Sequence, residues 1–328
     1  MESRNVMKKY IGILAKNNRI HTDCDSGGEY HSADDKKEIR DAAYEKELEQ
    51  TTFTEETMKD VGGNQAGKKN AERIRCIDDN EEALLWRLRM IGNAKKSIVL
   101  STFDLRPDDS GTKIIAALYT AAERGVQVQI LIDGIYQKLF LEKSPVFQAL
   151  AAHQNIEVGI YNPVTNLMRL NYRMHDKYLI IDEAMYLLGG RNTNDIFLGD
   201  KKTRINVDRD IFVYEETQGK GESLQALEKY FDTIWNEAQV RKKKKTYAAS
   251  YEEKYKSEYH QLKERYRSLK EKYPDIENYE HWEDDTYEAD KITLIDNGTQ
   301  TARKSPKVLQ AIGYIAGQGE EVVIQIRM

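Results

Sequence analysis

The sequence predicts an α/β fold in which a mixed β-sheet is sandwiched between helices, and three observations predict it. From residue 73 onward, apolar runs of strand length alternate with amphipathic stretches of about 10 to 13 residues, the pattern of a sheet covered by helices. Two short apolar runs then meet around Glu183-Ala184, which reads as a strand pair. Finally, RIRCIDD at 73–79 is echoed by KITLIDN at 291–297, and MIGNAKKSIVLS at 90–101 by YIAGQGEEVVIQ at 314–325. A repeated unit of this kind predicts one complete half and the start of a second.

Residues 1–72 are polar and broken by Gly27-Gly28 and Gly62-Gly63, and read as a mobile leader with an exposed helix such as 36–49. The first half is expected at 73–240. Asn80 is placed to cap a helix with Glu81 and Glu82 in its first turn and Leu84, Leu88 and Ile91 as its stripe. Residues 97–105 then form a buried strand, 112–124 a helix closed by Gly125, and 126–133 a second strand. A helix at 145–153 and a strand at 156–161 follow. The expected pair 177–182 and 185–188 comes next, with Met185 and Tyr186 in the sheet core, then a strand at 210–214 and a helix at 222–240 in which Trp235 is a packing residue.

Residues 241–290 differ in texture. After the run Arg241 to Lys245, the residues Tyr247, Tyr251, Tyr255, Tyr259, Leu262, Tyr266, Leu269 and Tyr273 recur every three or four positions, a stripe on a charged helix that Pro274 ends. The expectation is an amphipathic helix laid on its own domain. Residues 291–328 hold the start of the second half.

The chain has 328 residues, with 50 Lys and Arg against 55 Asp and Glu, for a net charge of -5. That balance gives no global attraction to nucleic acid, so a polyanionic partner is disfavoured and phosphate chemistry must come from local groups such as Lys201 to Arg204. Cys24 and Cys76 lack CxxC spacing and read as reduced thiols. No run approaches the roughly 20 apolar residues of a membrane-spanning helix, and no secretory leader is recognisable, so a cytoplasmic protein, peripheral at a membrane, is expected.

The chemistry concentrates at 172–195, YRMHDKYLIIDEAMYLLGGRNTND. His175 and Lys177 lie two apart at the start of a strand, where alternation aims both side chains at one face and one anion. The chain then returns to Gly189-Gly190-Arg191-Asn192, where two glycines let the backbone come close and Asn192 offers a side-chain donor. A metal is not expected, because His175 and Asp182 lack a third ligand at a recognisable spacing and Lys177 would repel a cation.

His175-x-Lys177-x4-Asp182 followed by Gly189-Gly190-x-Asn192 resembles the HxKxxxxD and GGxN signature of the phospholipase D superfamily. Within it the chain is most similar to bacterial cardiolipin synthases and their phospholipase D-like relatives, through AAERGVQVQILID at 121–133, RDIFV at 209–213 and FDTIWN at 231–236. The resemblance implies a phospholipase D-like α/β/α sandwich and displacement at a phosphodiester with neither metal nor cofactor. In it the imidazole of one motif attacks phosphorus to give a phosphohistidine and the histidine of a second motif protonates the leaving alcohol, with His175 the catalytic histidine of the motif present. Lys177, Asn192 and Gly190 would hold the phosphate oxygens. Asp182 would be a structural member of the site, and Asp210 would bond the other ring nitrogen of His175 and fix its tautomer.

This sequence departs from that pattern in one respect. Of His21, His31, His153, His260 and His281, none is followed two positions later by lysine. The expectation is a phosphatidyltransferase-type enzyme on phospholipid or another phosphodiester, with the second motif in sequence beyond Met328. The alternatives are a homodimeric phosphodiesterase or nuclease that pairs two copies of His175, and a non-catalytic half that binds a partner.

Overall fold

The computed structural model describes residues 72–165, 173–199, 206–215, 221–242, 253–289, 292–296, 308 and 311–312. The expected leader except Glu72, residues 201–204, Tyr247, Tyr251 and most of the expected second half lie outside them. Residues 66–292 form one compact unit, and the described residues 293–296, 308 and 311–312 belong to another.

Within 72–292 the strands are β1 (Glu72–Ile77), β2 (Ser97–Thr102), β3 (Gln127–Asp133), β4 (Ile156–Tyr161), β5 (Tyr178–Ile181), β6 (Met185–Gly189), β7 (Asp210–Glu215), β8 (Val240–Lys242) and β9 (Tyr287–Glu288). They join in one sheet of order β8-β4-β3-β2-β5-β6-β7-β1-β9. β2, β3 and β4 are parallel neighbours, whereas every other pairing is antiparallel. The longer helices are α1 (Asn80–Asn93), α2 (Asp109–Glu123), α3 (Pro145–Ala152), α4 (Glu222–Trp235) and α5 (Lys256–Lys272).

Side-chain alternation assigns the two faces. Leu179 and Ile181 of β5 and Leu187 of β6 belong to the core shared with α1, α2, α3 and α5. The intervening Tyr178 packs on Phe231, and Tyr186 hydrogen-bonds Ser223 at 2.8 Å, both partners on α4. A mixed sheet with helices on both faces is the expected α/β sandwich. Trp235 is buried against Phe231, a packing residue as expected.

Some element ends differ from expectation for identifiable reasons. The α1 cap is Asp79, whose carboxylate accepts the amides of Glu81 and Glu82 at 2.8 and 3.1 Å. Asn80 is instead buried, its amide donating to the Asn206 carbonyl while its oxygen accepts from Arg191 Nε. α2 begins before residue 112 because Asp108 accepts from Gly111 N and Asp195 from Ser110 N. α4 stops at Trp235, and the chain turns back as β8 to cover the free edge of β4. At the far edge β9 covers β1.

The tyrosine stripe turns inward. Leu262, Tyr266 and Leu269 of α5 are buried in the core, and Tyr259 stacks on Tyr119 of α2 with centroids 5.1 Å apart. Beyond α5, Tyr279 and Trp282 close over Trp86 of α1, and Trp282 also meets Phe212 of β7. Residues 253–289 thus contribute to the same core as the sheet.

Candidate active site

The C-terminal ends of parallel β2 and β3 converge with the start of antiparallel β5, and the candidate residues gather there. Asp133, at the end of β3, is fully buried. Its carboxylate accepts from Met174 N at 3.2 Å and Arg173 Nη1 at 3.2 Å, and from Ile135 N at 2.9 Å. This latch fixes the two residues before His175. Burial pushes the Asp133 carboxyl up, against the opposing pull of those donors.

His175 and Lys177 share Phe103, which follows β2. The imidazole meets that ring edge-on at 4.7 Å, and the ammonium sits 5.3 Å from its centroid. His175 is exposed whereas Lys177 is buried, with Nζ donating to the His175 carbonyl at 2.5 Å. Desolvation and then the Lys177 charge lower the His175 pKa from 6.5, so the ring is neutral near pH 7. Desolvation brings Lys177 down to about 8, opposed by Asp176, Asp208 and Asp104. A neutral imidazole beside a dry ammonium suits attack on an anionic centre.

Asn192 is buried in the loop that follows Gly189, whose amide donates to the Lys177 carbonyl at 3.2 Å, and its side-chain oxygen accepts from Asp104 N at 3.2 Å, which leaves its NH2 to donate elsewhere. Asp104 ties this loop to the end of β2. It accepts from Asn194 Nδ2 at 2.9 Å and Arg106 Nη2 at 2.6 Å, and its carbonyl accepts from Thr193 N. Burial raises its carboxyl pKa, opposed by Arg106 and Lys177.

The two glycines do allow close approach, but to carboxylates. A Cβ on Gly190 would lie 2.1 Å from Asp208 Oδ2, and one on Gly189 would lie 1.9 Å from Asp210 Oδ1. The Gly190 amide points to the Arg209 carbonyl at 3.5 Å. Asp208 is thereby held beside the loop, where its charge acts on both Lys177 and Arg191.

Asp210 and Asp182 sit apart from the imidazole. Asp210 is fully buried, accepting from Arg87 Nη1 at 2.9 Å and lying 3.2 Å from Arg191 Nη1. No hydrogen bond joins it to His175 among the described residues, so its expected part in setting the tautomer is not seen in this arrangement. Nor does it pair with the neighbouring Arg209, which bonds Asp78 instead. Asp182 is at the opposite end of β5, roughly 16 Å along the strand from Lys177 at about 3.3 Å per residue. There its carboxylate accepts from Lys95, Lys96 and Ser97 N–H at 2.6, 2.7 and 2.8 Å, and its own φ is 55°.

The site therefore brings together His175, Lys177, Asn192 and the glycine loop. Sequence reading missed Asp104, Asp133 and Asp208 around them and the Arg87–Asp210–Arg191 cluster behind. Asp133 closes the apolar run VQILI and Asp208 precedes Asp210 by two, but strand-end carboxylates are common and only the folded pairing gives these a partner. Among the described residues, no group of His, Cys, Asp and Glu is arranged to hold a metal ion. No helix among them is long and apolar enough to cross a membrane.

With this geometry, residues 88–235 match the family model described as cardiolipin synthase, PLD-like domain. That stretch has the phospholipase D-like domain of that family, and the similarity of the chain to the phospholipase D superfamily lies there. It is similar to cardiolipin synthase C of Escherichia coli (strain K12), 29% identical over 150 residues that cover 41% of this chain and 30% of that protein. It is also similar to cardiolipin synthase of Alkalihalophilus pseudofirmus, 30% identical over 217 residues, covering 61% of this chain and 42% of the relative. Among solved structures, NucT from Helicobacter pylori matches at 17% identity with a TM-score of 0.41, covering 52% of this chain and 98% of NucT. The chain spans about a third of the length of the curated relatives it matches.

Proposed function

We propose that this chain carries one half of a phosphodiester-transfer site in which His175 is the nucleophile and a lipid phosphodiester the substrate. The observation that carries the reading is the partly desolvated, neutral His175 beside the buried Lys177, both braced on Phe103. The superfamily supports phosphodiesterase or phosphatidyltransferase chemistry, and the similarity to cardiolipin synthases favours a phospholipid.

In the proposed sequence an imidazole nitrogen attacks phosphorus, an N–P bond forms and one P–O ester bond breaks. The leaving alkoxide takes a proton from a second histidine. An acceptor alcohol or water then attacks the phosphohistidine, gives up its proton to that second histidine, and frees His175. Lys177 and the Asn192 NH2 stabilise the charge that builds on the non-bridging oxygens. Asp182, Asp210 and Gly190 act behind them, holding the hairpin, the buried arginines and the loop. The second histidine comes from a second HxK motif, carried by another copy of this chain or by a separate stretch of protein, because residues 1–328 hold one such motif.

An activated diester, bis(4-nitrophenyl) phosphate, tests this directly because nitrophenolate leaves without a proton donor and so does not need the second histidine. The full chain is expected to release nitrophenolate, and His175→Asn to abolish the release. Equal release by the variant would contradict the reading. Lys177→Ala is expected to slow the release by about 100-fold, the scale of losing one preorganised charge-stabilising donor.

A further inference from the structure

Next to the site stands a feature that this chemistry leaves unused. The chain after Asp133 forms a single π-helical turn, Gln137–Leu141, with Glu142 N bonded to the Gln137 carbonyl at 2.8 Å. That turn holds Leu139 at 67% and Phe140 at 37% exposure, two of the five large apolar residues exposed among the described ones. Its inner side is tied to the site by a row of rings. Phe140 stacks on Tyr136 at 6.0 Å, Tyr136 meets Phe103 at 4.6 Å, and Phe103 meets His175 at 4.7 Å.

Charge is layered along the same line. Arg106, salt-bridged to Asp104, lies 4.6 Å over the Phe140 ring, between the apolar tip and the phosphate seat. Lys138 pairs with Glu142, and the exposed Lys143 makes no ion pair among the described residues, which leaves one spare positive charge at the lip. From outside inward the order is apolar, cationic, nucleophilic. A phospholipid has the matching order of acyl chain, glycerol boundary and anionic phosphate.

We propose that Leu139 and Phe140 form a lip that enters a lipid surface and brings phosphodiester headgroups to His175, a proposal that rests on the lipid reading of that site. Size decides between a bilayer and a protein partner. Two side chains cover a few hundred Å² at most, well short of the roughly 1,200 Å² of a stable protein interface. Reversible interfacial anchoring needs only a small apolar area sunk about 5 to 10 Å, aided by cations near anionic lipid.

The chain's Trp86, Trp235 and Trp282 are all buried, so Leu139→Trp creates an exposed reporter indole at the lip. With vesicles of phosphatidylglycerol and phosphatidylethanolamine carrying brominated acyl chains, its emission is expected to shift to the blue and be quenched. Gln127→Trp, at the opposite end of β3, is expected to show neither change. Phe140→Ser is expected to weaken vesicle partition at least about 10-fold. Vesicle binding without quenching at 139, no binding, or a response of the reporter to single-stranded oligonucleotide instead would each overturn the lip. The chemistry is read separately from nitrophenolate release by Phe140→Ser. Normal release with no insertion removes the lip and keeps the site, whereas insertion without release in the unaltered chain keeps the lip and removes the reading of the site.

Discussion

Lys177 and His175 make the pH dependence of the site specific. Attack needs neutral His175, whose pKa lies below 6.5, and oxyanion stabilisation needs charged Lys177, whose pKa is about 8. In the free protein kcat/KM for the nitrophenyl diester should therefore rise with pH through a limb below 6.5 and fall through one near 8. Lys177→Arg should move the upper limb out of range, since a guanidinium stays charged up to about pH 12. An upper limb unchanged in that variant would remove Lys177 from the explanation.

Asp210 separates a structural from a catalytic carboxylate. Asp210→Asn leaves Arg87 and Arg191 buried without their shared counter-charge, so unfolding in urea should show a loss of about 3 to 5 kcal/mol. In the fraction that remains folded, the acid limb assigned to His175 should stay where it was. The motif residues were legible in the sequence because their spacing along one hairpin is local. The arginines that hold Asp210 were not, since Arg87 lies on a helix and Arg191 in a loop, and the contact exists only once the strands have paired.

At the scale of elements, the periodic signals located nearly every strand and helix, while the ends followed from side chains that capped, paired or turned. Asp79 displaced Asn80 as a cap because the Asn80 amide was engaged by Arg191 and Asn206. The last turns expected of α4 became β8, because an open sheet edge offers hydrogen bonds that the sequence does not announce. Asp182 belongs to this scale. Its carboxylate satisfies three backbone amides at the β2 start while its own backbone has positive φ. Asp182→Ala should cost about 2 to 4 kcal/mol in denaturant unfolding yet leave nitrophenolate release per folded molecule within about twofold, which separates a hairpin anchor from a phosphate ligand.

Taken whole, the described molecule is a covered sheet whose 253–289 segment adds to the core. Tyr266→Ala should therefore lower stability by about 3 to 5 kcal/mol, as a large buried side chain lost from a core does, where a separate excursion would leave the sheet unit unaffected. Mixed α/β layering was legible from alternation, and the tyrosine stripe was expected on its own domain, although its period by itself also fits a partner helix or a lipid surface as well as the chain's own core. Its buried members choose the last.

The central claim is that His175 is the nucleophile of a covalent step, and mass spectrometry after acid-free quenching tests it. Full-length chain treated with bis(4-nitrophenyl) phosphate is expected to gain one mono(4-nitrophenyl)phosphoryl group per molecule, mapped to the peptide of His175 and absent from His175→Asn. A burst of nitrophenolate with the adduct on another residue, or turnover that survives in His175→Asn, would contradict the account.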